Sequence, residues 1–160
     1  MIRFSPLTFL LFYPLAFAST ALPIECFQFD KYAADRPFRG PYVESRLTTR
    51  SEIHRFRTVI QAGSKGHPNF AGHLRVVSWG CGLSCQQFSV VDKKTGHAYL
   101  VPMMAEIGAK FQLNSRLFVV NPPEDVEGTI FNGPTSFVWD EISQSLRLLP
   151  SCDSNAQPIS

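Results

Sequence analysis

The sequence predicts an all-β protein with little helix. Short runs rich in Val, Ile, Phe and Thr recur between clusters of Gly, Pro, Asn and Asp, which is the pattern of strands separated by turns. Apolar residues at a helical period are almost absent. The 160 residues are enough for one domain with its own core.

The first residues have the features of an export signal. Arg3 precedes an apolar stretch from Leu7 to Phe17, and small residues then stand at the positions that signal peptidase requires for a cut after Ala18. We expect a signal peptide over 1–18, with Ala21 as the second choice of cut. An uncleaved anchor is the alternative, but the apolar stretch is shorter than the roughly 20 residues of a membrane span. The predicted location is periplasmic or secreted, without stable membrane insertion after cleavage.

Residues 19–53 form an irregular segment that we expect to pack on the domain. Its aromatic, Pro, Gly and charged residues follow no period. A short extended piece is predicted around Phe27 and Phe29, followed by a long loop with a helical turn near Tyr32 to Asp35.

The β domain is predicted over 54–150, with a tail over 151–160. Its first strand, His54–Gly63, is predicted from the alternation in "HRFRTVIQAG". Turns are predicted at Asp92–Gly96 and Asn114–Ser115, where Asp, Asn and Gly supply turn chemistry. The remaining predicted strands are His73–Trp79, Gln87–Asp92, His97–Pro102, Ala109–Leu113, Ser115–Asn121, 128–131, Thr135–Asp140 and Ser145–Pro150.

An internal echo suggests how these strands are arranged. "FSVVDKKTGHAYLVP" and "FVWDEISQSLRLLP" share a strand closed by Asp and a return strand ending in Pro, at the same offset. "HLRVVSW" and "SRLFVVN" correspond upstream. The hypothesis is two antiparallel meanders related by duplication, each with hairpins like those of a propeller blade. Since two blades cannot close a ring, we expect a small sandwich or one strongly curved sheet.

Four cysteines in an exported chain predict two disulfides, for which three pairings exist. We favour Cys81–Cys85, which are close in sequence, and Cys26–Cys152, which would join the two ends of the mature chain. In the loop-entropy model the long closure stabilises by about 5 kcal/mol and the short one by about 2 kcal/mol.

The cysteine loop "SWGCGLSCQQF" is the first candidate site. Thioredoxin-like redox sites have two residues between the cysteines, whereas this loop has three. A structural zinc site needs four ligands, typically in two close pairs. A disulfide-closed turn is the favoured interpretation, and such a rigid loop loses little entropy on binding. The candidate binding residues here are Trp79, Gly80, Gly82 and Leu83.

The histidines are the second candidate site. His67 and His73 flank a turn-rich loop, and His97 lies in the next hairpin, so three imidazoles could form a metal or acid–base site. No spacing among them is diagnostic of a metal site. In the ordinary alternative His73 caps a strand or donates to a backbone carbonyl, and His67 is a loop residue. His67 and His73 are kept as candidate binding residues; no catalytic residue, metal or cofactor is assigned.

The charge of the chain bears on its partners. The formal net charge is +2, and it falls by one when Arg3 leaves with the signal peptide. No long basic block remains, so nucleic acid is not an expected partner.

The stretch "NFAGHLRVVSWGCGLSCQQFSVVDKKTG", followed by "SRLFVV" and an aromatic–Trp–Asp hairpin, resembles a family of exported proteins of Gram-negative bacteria. That family has an Asn-Phe-Ala-Gly-His strand entry, a Trp-Gly-Cys-Gly loop with a second Cys, and a Val-Asp-x-x-Thr-Gly turn. The resemblance covers Arg55 to Leu149 and implies export and the fold, but no activity. "FVWDE" departs from it in lacking the glycine that would tighten the last hairpin.

Three functions remain open at this point. The first is an exported binding or inhibitor-like module that presents the cysteine loop to a protein or envelope partner. The second is an envelope hydrolase or metal-dependent enzyme using His67 and His73. The third is a structural component of the envelope.

Overall fold

The computed structural model describes residues 24–47, 52–126 and 133–153. The predicted signal peptide and its cleavage sites lie outside these residues, as does the predicted strand at 128–131. Among the residues described, no helix has the length and apolar character needed to span a bilayer.

The described strands form two antiparallel sheets, which confirms the all-β prediction. The first sheet has three strands and the second has four, and in both the strands are hydrogen-bonded in chain order. Two meanders are therefore present, as the internal echo predicted, with one additional strand at the edge of the second. The strands are β1 (Leu74–Gly82), β2 (Cys85–Asp92), β3 (Ala98–Leu100), β4 (Ala109–Phe111), β5 (Leu117–Val120), β6 (Thr135–Asp140) and β7 (Ser145–Asp153).

The two sheets pack face to face around one apolar core. Alternate residues of each strand point into it, because side chains alternate between the faces of a sheet. β2 contributes Phe88 and Val90, and β5 contributes Phe118 and Val120, all of them buried. The arrangement is the sandwich rather than the single curved sheet.

The opposite face of the first sheet is also covered. Val77 and Val91 point away from the other sheet and form a second cluster with Ile53 and Ile60. The doubled valines of β1 and β2 reflect this, since a strand buried on both faces is apolar at consecutive positions.

The predicted strand His54–Gly63 is wrong: this segment is the helical layer that covers the sheet. A 3₁₀ turn over Glu52–Phe56 continues into helix α1 (Arg57–Gly63). Phe56 and Ile60 are four residues apart, which fits either a strand face or a helix face. In the structure Ile53 belongs to the same cluster, and its spacings of three and then four residues place all three side chains on one face of a helix.

The extended piece predicted around Phe27 and Phe29 is also wrong. Two 3₁₀ turns occupy Ile24–Phe27 and Phe29–Tyr32, slightly before the predicted helical turn. Two hydroxyl groups hold these turns, one from the β4–β5 connection and one from β6. Ser115 Oγ donates to the Phe29 carbonyl oxygen at 2.7 Å, and Ser136 Oγ donates to that of Cys26 at 2.8 Å.

Both predicted disulfides are present. Cys26 is bonded to Cys152 across a sequence separation of 126, and both are buried. Cys81 is bonded to Cys85 at the end of the β1–β2 hairpin. The first bond fixes the beginning of the described chain to the last strand, and the second closes a local turn.

The last hairpin closes without the glycine that the resemblance suggested. Asp140 Oδ1 accepts hydrogen bonds from the backbone N–H groups of Ile142 and Ser143 at 2.9 and 3.0 Å. Gln144 adopts the left-handed conformation, with φ of 49°. The carboxylate therefore organises the turn. The hydrogen bonds from these N–H groups, that of Ser143 most of all, hold the pKa of Asp140 below its ordinary value of 3.8.

The disulfides should differ in their effect on stability. Replacing Cys26 and Cys152 by Ala should lower the free energy of unfolding by about 2–5 kcal/mol, because a long loop is released. Replacing Cys81 and Cys85 by Ala should cost less than about 2 kcal/mol, because the ring is short. Urea unfolding of both double variants measures the difference, and an equal loss in the two would contradict this assignment of roles.

The turn at Asp140 should be sensitive to acid. A carboxylate with a lowered pKa stabilises the fold above its unfolded pKa, and this contribution is lost as the pH falls through the folded value. Asp140→Asn keeps an acceptor oxygen but does not titrate. The difference in unfolding free energy between wild type and variant should be largest above about pH 5 and should shrink as the pH falls below the ordinary Asp pKa. A difference that is constant from about pH 5 to about pH 2 would contradict it.

Candidate functional site

The candidate site is the tip of the β1–β2 hairpin, defined here as Gly80–Cys85 together with Met104. The strands remain paired up to the tip, with Gly80 opposite Gln86 and Gly82 opposite Cys85, and the register shifts between the two glycines. Leu83 and Ser84 form the turn. Gly82 has φ of 141° and Ser84 has φ of 49°, so two of the three residues between the cysteines, one on each side of Leu83, have a positive φ.

Leu83 is the most exposed large apolar residue described. Its side chain is 99% exposed at the apex of the disulfide ring. A leucine in this position contributes no burial energy to the fold. Full burial of its side chain in a partner's pocket would contribute about 1.5–3 kcal/mol to binding. Among the residues that sequence analysis selected, Leu83 is therefore the one most available to a partner.

Met104 is the residue of the site that sequence analysis missed. Its Sδ lies 3.7 Å from Cys85 Sγ and 4.0 Å from Cys81 Sγ, and its side chain is 56% exposed. The next residue fixes its position: Ala105 is buried and exchanges two backbone hydrogen bonds with Gln86, at 2.7 and 2.9 Å. No spacing in the sequence relates Met104 to the cysteines, because the contact arises from this isolated bridge.

Trp79 lies at the base of the tip and is half-buried. Its ring packs on Phe56 of the helical layer, with centroids 4.9 Å apart, and its Nε1 donates to Gln87 Oε1 at 3.1 Å. Trp79 also lines a shallow cleft of about 410 Å³ beside the disulfide-closed turn, together with Gly80 and Glu106. Trp79 therefore supports the hairpin more than it projects from it.

The three candidate histidines lie in different environments. His67 is exposed, and its Nδ1 lies 2.9 Å from the Tyr42 hydroxyl. His73 is buried; its Nδ1 donates to the Ala71 carbonyl oxygen at 3.0 Å, and its Nε2 lies 3.5 Å from Glu141 Oε2. His97 is exposed in the β2–β3 turn. Within the described ranges, no group of three or more His, Cys, Asp or Glu residues is arranged to hold a metal ion.

The ordinary interpretation of His73 is thus the one that the structure supports. Its hydrogen bond to a carbonyl oxygen places the proton on Nδ1, and burial keeps the ring from solvent. The histidines do not form the shared site that an acid–base or metal mechanism would need, so the hairpin tip remains the candidate.

Comparison with protein-family models, curated proteins and solved structures gives no match for this chain.

The two glycines of the tip should respond differently to substitution. Gly82→Ala forces a side chain into a positive φ and should cost about 1–3 kcal/mol. Gly80→Ala is the matched control, since its added Cβ would lie 4.0 Å from the nearest non-neighbouring atom, the Cys85 carbonyl oxygen, and it should change stability by less than about 0.5 kcal/mol. Urea unfolding checks both, and equal costs would show that the tip is not held in the described conformation.

Proposed function

We propose that this protein is an exported binding module that presents the Leu83 tip to another protein of the cell envelope. The observation that supports this most directly is the full exposure of Leu83 on a covalently closed turn. An exposed aliphatic side chain on a rigid turn can be buried in the pocket of a partner with a gain in free energy and little loss of conformational entropy.

The construction of the tip suits it to binding. Strand pairing reaches Gly82 and Cys85, and the disulfide joins the same two strands, so the turn is restrained twice. A restrained loop loses little conformational entropy when it binds. Leu83 and Met104 both adjoin the disulfide, which gives the tip an apolar surface of aliphatic carbon and sulfur. This form also fits an inhibitor-like loop.

The chemistry of the tip favours a protein over a lipid or a polyanion. The stretch from Ser78 to Phe88 contains no Lys or Arg, whereas recognition of anionic lipid or nucleic acid depends on clustered positive charge. The aromatic side chain of this stretch that could anchor it in a membrane interface, Trp79, is packed against Phe56 and supports the hairpin instead of projecting from it. An apolar pocket on a protein is the surface that an aliphatic apex complements.

Export belongs to the same proposal. Two disulfides are typical of proteins in an oxidising compartment. The apolar N-terminal stretch and the resemblance to exported proteins of Gram-negative bacteria point to the periplasm. Neither the enzymatic nor the structural alternative is favoured by a particular contact among the described residues.

A photo-cross-linking amino acid placed at position 83 should yield a discrete protein adduct in cells that express the full chain. The same amino acid at position 142 is the matched control, because Ile142 is 97% exposed at the tip of another hairpin. An excess of unlabelled wild-type protein should compete for the adduct, and an excess of the Leu83→Asp variant should not.

The adduct then provides the partner for a direct measurement. Leu83→Asp should weaken binding to the purified partner about tenfold or more, and Ile142→Asp should leave it unchanged. Equal adducts at both positions, or equal affinities of the two variants, would exclude the Leu83 tip as the binding surface.

A further inference from the structure

We propose that Cys81, Cys85 and Met104 form a three-sulfur site for Cu(I) when the exposed disulfide is reduced. This proposal does not rest on the proposed function, although the three sulfur atoms lie in the same hairpin tip. It rests on the placement of Met104, on the exposure of this disulfide and on the ligand preferences of soft metal ions.

The three sulfur atoms already converge on one point of the surface. Met104 Sδ lies within 4.0 Å of both cysteine sulfurs, and the Cα atoms of Cys81 and Cys85 are 5.1 Å apart. The strands on either side hold this spacing, because Gly80–Gln86 pairing continues to the base of the ring. The backbone bridge between Ala105 and Gln86 holds Met104 against it. Reduction therefore leaves two thiols and a thioether facing one another.

The chemistry of these ligands selects the metal. Thiolate and thioether sulfur are soft ligands and favour Cu(I), whereas Ca²⁺ and Mg²⁺ require oxygen. Zn²⁺ takes four ligands in structural sites, drawn from thiolate, imidazole and carboxylate, and thioether sulfur is not among its usual ligands. Two thiolates and one thioether suit a monovalent ion of low coordination number.

The two disulfides differ in their access to a reductant. Cys81 is exposed and Cys85 is half-buried, while Cys26 and Cys152 are buried. A thiolate must reach a disulfide sulfur to attack it, so the tip is reduced first. Loss of the short ring removes little stabilisation, and the strand pairing below it and the Cys26–Cys152 bond keep the fold.

A dithiol can supply the two electrons that reduce the Cys81–Cys85 disulfide. One thiolate of the dithiol attacks a cysteine sulfur, the Sγ–Sγ bond breaks, and a mixed disulfide forms. The second thiol of the donor then closes the donor's own disulfide and releases Cys81 and Cys85 as thiols. Two electrons and two protons have moved from the donor to the chain. Binding of Cu⁺ by both sulfurs as thiolates releases two protons, and Met104 donates a lone pair without a change of charge.

The test is a titration of the full chain with Cu(I) under anaerobic conditions, with bicinchoninate as the competing chelator. Protein reduced gently with a phosphine, so that alkylation labels only Cys81 and Cys85, should take up a single Cu(I) per chain. The oxidised protein should take up none. X-ray absorption at the copper edge should show sulfur as the only ligand type.

Three variants separate the site from unspecific thiol binding. Met104→Leu should weaken Cu(I) binding about tenfold or more, since it removes one ligand at nearly constant volume. Met103→Leu is its matched control, because Met103 packs against the core between the sheets, and it should leave the affinity unchanged. Replacing Cys81 and Cys85 by Ala should abolish binding and leave the far-ultraviolet circular dichroism spectrum intact.

Four results would overturn the proposal. They are absence of Cu(I) uptake by the reduced wild type, equal affinity of Met104→Leu and wild type, nitrogen or oxygen ligands in the absorption spectrum, and preferential uptake of Zn²⁺.

Discussion

The packing of Phe118 between the two sheets is the interaction on which the rest of the structure depends. Its ring is fully buried and lies 5.7 Å from Phe70 and 5.6 Å from Phe88, both edge-to-face, and 5.6 Å from Phe111 in a stacked arrangement. Aromatic pairs of this geometry stabilise beyond their buried area. Because Phe88 belongs to β2 and Phe111 to β4, one side chain of β5 fixes both sheets. With Phe88 fixed in the core, the position of every other residue of β2 is fixed as well. Cys85, three residues before Phe88, then lies outside the core at the end of the hairpin.

The opposite end of the first sheet is closed by the N-terminal segment. The backbone N–H of Arg46 donates to the Gly96 carbonyl oxygen at 2.6 Å, and that of Val43 donates to Lys93 at 3.0 Å. A Cβ at Gly96 would collide with the Glu44 carbonyl oxygen, so this turn needs glycine for its close contact as well as for its φ of 79°. Within the described chain, the β1–β2 hairpin tip receives no comparable cover at Leu83. What distinguishes it from the other exposed apex, Ile142 of the β6–β7 turn, is the disulfide that closes its turn.

Sequence reasoning found what depends on local chemistry. Alternation and turn residues located the strands around Val76, Val90 and Val138, and Asp92 accepts from the Lys94 N–H and the Thr95 hydroxyl in the predicted turn. Both disulfides were predicted on the expectation of export, one from the short spacing of Cys81 and Cys85 and the other from the positions of Cys26 and Cys152 at the two ends of the predicted mature chain.

It failed where a decision needed tertiary contacts. Phe56 and Ile60 suit a helix face as well as a strand face. The choice is settled only by packing against the outer face of the first sheet, where Val77 and Val91 need an apolar cover. Gln144 in a left-handed conformation has no signal in its residue type, since the hydrogen bonds of Asp140 impose it.

The same limit applies to the site. Five of its members were found because they lie in one short stretch of the sequence: Gly80, Cys81, Gly82, Leu83 and Cys85. Met104 was not, because an isolated bridge between Ala105 and Gln86 brings it to the ring from a separate segment. Side chains that meet through long-range pairing leave no period or spacing in the sequence.

The two proposals for the tip are linked through the conformation of one ring. The Cys81–Cys85 bond restrains Leu83, so its reduction gives the turn more freedom and raises the entropic cost of binding a partner. A Cu(I) ion held by both cysteines would close the ring again through sulfur–metal–sulfur bonds and restore part of that restraint. If the metal favours the conformation that the partner binds, then the partner must strengthen metal binding by the same factor. Redox state, metal and partner would then act on a single turn, while the buried Cys26–Cys152 bond and the Phe118 packing keep the sandwich unchanged.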